Sequence, residues 1–94
     1  MKPDNPPLPK GHQSLTGLNS VQGVNVPIAA NWAMIRVTGG DVRWTDDGST
    51  PTASNGYPLL DTEELTYDAV TGLPGLQFFA TAGTPIVSLA YYGV

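Results

Sequence analysis

Glycine and proline interrupt this chain too often for an apolar helix to run through it. They supply 11 and 9 of its 94 residues, a share at which low complexity or disorder has to be weighed first. Their distribution decides against that reading. Pro3, Pro6, Pro7 and Pro9 crowd into the first nine residues, where Met1 and Leu8 are the only apolar side chains, whereas the other prolines stand singly between apolar runs. Residues 1–12 therefore read as an extended Pro-rich arm, and residues 13–94 as strands separated by turns.

From Gln13 onward no segment keeps apolar residues at helical spacing, so the pattern to follow is alternation. Asn25–Ala30 reads as a short edge strand broken at Pro27. Trp32–Thr38 alternates Ala33, Ile35 and Val37 against Trp32, Met34, Arg36 and Thr38, which predicts a strand with a small aliphatic inner face. Gly39-Gly40 is expected to reverse the chain into Asp41–Asp46 as a hairpin, with Val42 and Trp44 on one side. After a polar loop over 47–58, further strands are predicted at Glu64–Tyr67, Leu76–Ala80 and Ile86–Tyr92. Six to eight short strands with frequent turns give an all-β fold, a small antiparallel β-sandwich or barrel.

Such a domain is thinly supported. At this size it can bury about 64% of its unfolded surface. The absence of Cys and a single His leave it without disulfides, thiolate metal ligands or a multi-His site, so extra stability is expected from oligomerisation or a partner. A formal charge of -4 repels phosphate backbones and argues against nucleic acid. Apolar stretches such as 27–30 are too short to span a bilayer, and the N-terminal residues lack the apolar centre of a signal peptide, which predicts a protein made and used in a cytoplasm without a membrane.

Little in the chain suggests chemistry. Asp46 and Asp47 fall in a Thr-Asp-Asp-Gly-Ser-Thr-Pro-Thr stretch, but a calcium loop of the EF-hand type needs alternating oxygen ligands and a terminal Glu. A tight Asp-Gly turn is the reading adopted. His12 lies beside the arm with no nucleophile motif, so no catalytic residue, cofactor or metal is assigned, and an enzyme is not expected.

The aromatic residues are more informative. Phe78-Phe79 and Tyr91-Tyr92 are adjacent pairs on strands, so the members of each pair face opposite sides of the sheet. Unless both faces are covered, one ring per pair is exposed, and Trp32 faces away from Ala33, Ile35 and Val37 in the same way. This pattern predicts burial against another subunit or partner.

The run Val42-Arg43-Trp44-Thr45-Asp46-Asp47-Gly48, followed by Pro51-Thr52-Ala53, Gly56-Tyr57-Pro58-Leu59, Leu76-Gln77-Phe78-Phe79 and Ala90-Tyr91-Tyr92, resembles small structural proteins encoded in tailed-bacteriophage virion gene clusters. Ser14-Leu15-Thr16 and the Val26-Pro27 step before Ala29 and Ala33 are also similar. The resemblance spans roughly residues 13–92 and implies a β-rich virion component: a head decoration (cement) protein, or a head-to-tail, neck or tail accessory.

In that setting an arm of about 12 residues reaches up to roughly 40 Å when extended and can lie across a neighbouring subunit, with its prolines reducing the entropy lost on docking. The expected partners are the major capsid protein or another virion protein and further copies of the chain, a trimer being one form, on the capsid surface. The residues assigned to contact are Pro3, Pro6, Pro7, Leu8 and Pro9 in the arm, with Trp32, Phe79 and Tyr92 as apolar anchors and Arg36 and Arg43 as ion-pair donors. For Arg43 a structural role beside Trp44, Asp41 or Asp46 is the stronger expectation. A competing reading is a carbohydrate- or receptor-binding module that uses Trp32, Trp44 or Tyr57 as a stacking platform.

Overall fold

A computed structural model describes residues 8–94. In chain order its elements are β1 (Leu8–Leu15), β2 (Gln22–Gly23), β3 (Trp32–Thr45), β4 (Tyr57–Leu59), β5 (Glu64–Tyr67), a single 3₁₀ turn (Leu73–Gly75) and β6 (Gln77–Gly93). All pairings are antiparallel in one open sheet ordered β1-β6-β3-β4, with β2 also on β6 and β5 also on β3. The all-β expectation holds, and among the described residues no helix is long and apolar enough to cross a membrane.

Two long strands carry this sheet where several short ones were expected. Gly39-Gly40 does not reverse the chain: β3 continues through it, and both of its halves pair with β6. Likewise Leu76–Ala80 and Ile86–Tyr92 belong to the one strand β6, through Gly83 and Pro85. The glycines serve a bend. Thr84 and Pro85 together face Gly39, and Thr81 is a second extra residue on β6 before Val42 and Ala80 pair. Extra residues on one strand of a pair bend it and raise its twist, and a bulge is where a strand tolerates proline. At the bend Gly83 has φ +69, and a Cβ there would lie 2.6 Å from the Gly39 carbonyl oxygen.

The bend folds the sheet over its own inner face. Along a straight strand Ala33 and Trp44 would be about 36 Å apart. Yet Tyr67, paired with Ala33, has its ring centroid 6.0 Å from that of Trp44 at an interplanar angle of 89°. The two halves thus share one core, in which Ala33, Ile35 and Val37 lie opposite Tyr91, Leu89 and Val87, and Val42, Leu59 and Phe78 fill the other end. The predicted inner face of Trp32–Thr38 is the buried one.

Three further expectations differ from the structure. Asn25–Ala30 is not a strand: residues 28–29 form a turn, the Ala30 N–H donates to the Pro27 carbonyl, and Ala29 takes φ 67. Tyr57–Leu59, which overlaps the end of the predicted loop, forms β4 against Val42–Trp44. Leu8–His12, assigned to the arm, pairs with β6 from Gly93 to Ala90. Proline is acceptable in β1 because the strand lies at the sheet edge. Pro3, Pro6 and Pro7 lie outside the described residues.

Two tyrosines tie the core together. The Tyr67 hydroxyl donates to Asp46 Oδ2 at 2.5 Å, and the Tyr91 hydroxyl to Gln13 Oε1 at 2.9 Å. Burial, reinforced at Tyr67 by the Asp46 carboxylate, pushes both up to about 12. In the unfolded chain they ionise near pH 10. The folded protein therefore retains protons that the unfolded chain releases: the stabilisation is complete below pH 10 and is lost as pH rises toward 12. A denaturant series across this range, read by circular dichroism and tyrosinate absorbance, is expected to show stability falling steeply above pH 10. Replacing both Tyr67 and Tyr91 by Phe should flatten that fall; an equally steep fall in the double variant would assign it to other groups.

Candidate interaction surface

The outer face of the half-sheet formed by β1, β5, the first half of β3 and the last half of β6 is built by alternation. Residues next to the buried Ala33, Ile35, Val37, Val87, Leu89 and Tyr91 must point outward. On β3 these are Trp32, Met34, Arg36 and Thr38, and on β6 they are Ile86, Ser88, Ala90 and Tyr92, paired in that register. Trp32 and Tyr92 stand directly opposite each other with ring centroids 4.5 Å apart and an interplanar angle of 21°, the close approach expected of a cross-strand aromatic pair. Pro9 lies on the other side of Tyr92.

Beyond this stack the face is open and mixes apolar with polar side chains. Met34 is 39% exposed and Ile86 41% exposed, and Ala90 lies between β1 and Met34. His12, Ser14, Met34, Arg36, Ser88 and Ala90 line a shallow groove of about 420 Å³. Glu64 caps one side, its carboxylate 3.0 Å from the Arg36 guanidinium. Both side chains of that pair are about half exposed, at 51% and 53%, so solvent screening leaves it a small energetic role.

The structure gathers some of the assigned residues and separates others. Pro9, Trp32 and Tyr92 form one cluster with Arg36 further along the same face, and Leu8 is exposed where β1 begins. Phe79 and Arg43 lie opposite each other in the other half-sheet. Phe78 is fully buried and Phe79 partly exposed, while Tyr91 is fully buried and Tyr92 partly exposed, so each adjacent pair splits across the sheet. Arg43 donates to the Gly56 carbonyl at 2.7 Å, a structural role, but with a different partner from those expected: Asp41 accepts from the Asp61 N–H and Asp46 from Tyr67.

Met34 and Ile86 were not singled out from the sequence, although alternation places them on the same face as Trp32 and Tyr92. The Asp-Gly stretch is a turn in which the Asp47 carboxylate accepts from the Ser49 N–H at 3.0 Å and the Ser49 hydroxyl at 2.7 Å. Those two bonds hold the Asp47 carboxyl below its usual range, against a small opposing effect of burial. The sequence matches no protein-family model, and neither a curated protein nor a solved structure is similar to it.

Proposed function

We propose that this chain is a non-enzymatic structural protein of a tailed-bacteriophage virion, a capsid decoration protein that docks on the major capsid protein and on further copies of itself. The observation that carries the reading is the outer face: a stacked Trp32–Tyr92 pair with Met34 and Ala90 beside it on the solvent side of the sheet, and Ile86 exposed beyond the Arg36–Ser88 row. A chain of this size has few large apolar side chains to use, and placing these outside its own core fits a surface that another protein covers. The folded-over sheet acts as a two-layer β-sandwich with that face on one side. On a repeating lattice, modest contacts per copy add up through multivalent engagement, while the net negative charge keeps particles apart. A tail or neck position of the same fold differs in copy number.

Quantitative mass spectrometry of purified virions is the direct test. Hundreds of copies per particle are expected, a dozen or fewer would move the protein to the neck or tail, and none would end the proposal. Combining Trp32→Ser with Met34→Ser is expected to lower incorporation at least tenfold while shifting Tm by only a few degrees, because both side chains lie outside the core. Undiminished incorporation of that folded variant would overturn the assignment of this face. A truncation to probe the arm should remove residues 1–7 alone, since deleting 1–12 also removes most of β1.

A further inference from the structure

In the other half of the folded sheet the loop between β3 and β4 forms a second surface, distinct from the face that carries Trp32 and Tyr92. It is held by its own hydrogen bonds. Thr45 Oγ1 donates to the Ser49 carbonyl at 2.7 Å, Asn55 Nδ2 to the Thr50 carbonyl at 2.8 Å, and the Asn55 N–H to Thr52 Oγ1 at 3.0 Å. Pro51 is packed fully inside beneath it. Such a loop is ordered before any ligand arrives, which lowers the entropy lost on binding.

Between this loop and the start of β4 lies a depression of about 340 Å³ lined by Thr45, Asp47, Ser49, Ser54, Asn55 and Tyr57, at the small end of the range for ligand sites. Tyr57 is 62% exposed and is braced by Trp44, its ring centroid 5.0 Å away. Asp47 Oδ1 and Asn55 Nδ2 are engaged within the loop. Among the described residues, no hydrogen bond is made by Asp47 Oδ2, Asn55 Oδ1 or the Ser54 hydroxyl.

We propose that this depression binds one ring of a neutral saccharide, its C–H face on Tyr57 and its hydroxyls on Asp47, Ser54 and Asn55. The chemistry selects that class. A sugar ring needs one flat aromatic surface and several acceptors and donors converging beside it. Among the described residues the lining has no Lys or Arg to hold a phosphate, a sulfate or an acidic sugar, and the Asp47 carboxylate repels them. A quaternary ammonium would call for a cage of several rings, whereas this site offers one.

The test is an amide NMR titration of the full chain with glucose, galactose, mannose and N-acetylglucosamine, independent of any measurement on particles. Saturable shifts are expected for at least one sugar, confined to residues 45–57 and the Trp44 indole, with a dissociation constant on the order of millimolar. Tyr57→Ala should weaken binding at least tenfold while keeping the dispersed spectrum of a folded chain, since its ring lies mostly outside the core. Tyr57→Trp should retain binding, and Tyr92→Ala should leave it unchanged. Absence of shifts in this loop with all four sugars, or equal affinity in Tyr57→Ala, would overturn the proposal.

Discussion

Replacing Gly83 by valine is expected to destabilise the protein by about 2–5 kcal/mol, two effects adding at one position. Gly83 has φ +69, a conformation that costs an L-residue roughly 1–2 kcal/mol. Its Cβ would also sit 2.6 Å from the Gly39 carbonyl oxygen, and forcing atoms into a filled space costs roughly another 1–3 kcal/mol. The atom struck belongs to the backbone of β3, so relief requires the two long strands to part where the sheet bends. For a domain of this size each kcal/mol lowers Tm by about 4–8 °C. Gly48→Ala is the matched control, because Gly48 has φ +88 but nothing within 4 Å of a Cβ; its expected cost is the backbone term alone, about 1 kcal/mol. Thermal melts of the two variants separate strain from collision. A Gly83→Val protein melting within a few degrees of the parent would mean that the bend does not depend on close approach of the strands.

Truncating Phe78 to alanine should have a comparable effect by another route. Phe78 is fully buried and lies opposite Trp44 on β3 and Gln22 on β2, at the end of the core where Val42 and Leu59 are its neighbours in the cluster. Removing a buried ring loses its transfer free energy and leaves a cavity that a sheet braced on both sides closes only partly, a cost of about 3–5 kcal/mol. Against a total stability of about 5–14 kcal/mol for 94 residues, this loss takes from roughly a fifth of the total to nearly all of it. Phe79→Ala, one residue along and on the outer face, is expected to cost less than half as much. Urea denaturation of the pair reads the difference directly. Equal losses would mean that Phe79 is packed as tightly as Phe78.

The contrast between these neighbours marks what was legible in the sequence. Period-2 alternation depends only on the pleat, so it correctly gave the inner face Ala33-Ile35-Val37 and the division of each aromatic pair across the sheet. Glu64–Tyr67 was also found where predicted. What failed was connectivity. A Gly-Gly step permits a hairpin or a bend equally well, because both need backbone freedom and close approach, and only the partner strand distinguishes them. That partner, β6, lies more than thirty residues further along the chain. Pro85 split β6 in the reading for the same reason: an extra residue in a bulge leaves no local signature. β1 was lost to the arm because proline density signals an extended chain without saying whether a ladder forms beside it. Exposure logic placed Trp32 and one ring of the Tyr91-Tyr92 pair on the outer face, where alternation also puts Arg36. The bond from Arg43 to the Gly56 carbonyl joins residues brought together by the turn, and residue types alone carry no trace of it.

The pairing of Leu8 with Gly93 has a mechanical consequence. The first and last paired residues of the described chain sit side by side at one corner of the sheet, running in opposite directions. Tension pulling Leu8 and Gly93 apart would load the β1–β6 ladder one rung at a time, beginning at that corner and passing Tyr92 before reaching the core. Tension between Leu8 and the bend at Gly39 would instead have to slide long strands past one another, with many hydrogen bonds sharing the load. An attachment through the N-terminal segment is therefore strong or weak according to where the opposing hold is placed, and a partner gripping the outer face across β6 and β3 would hold the zipper shut.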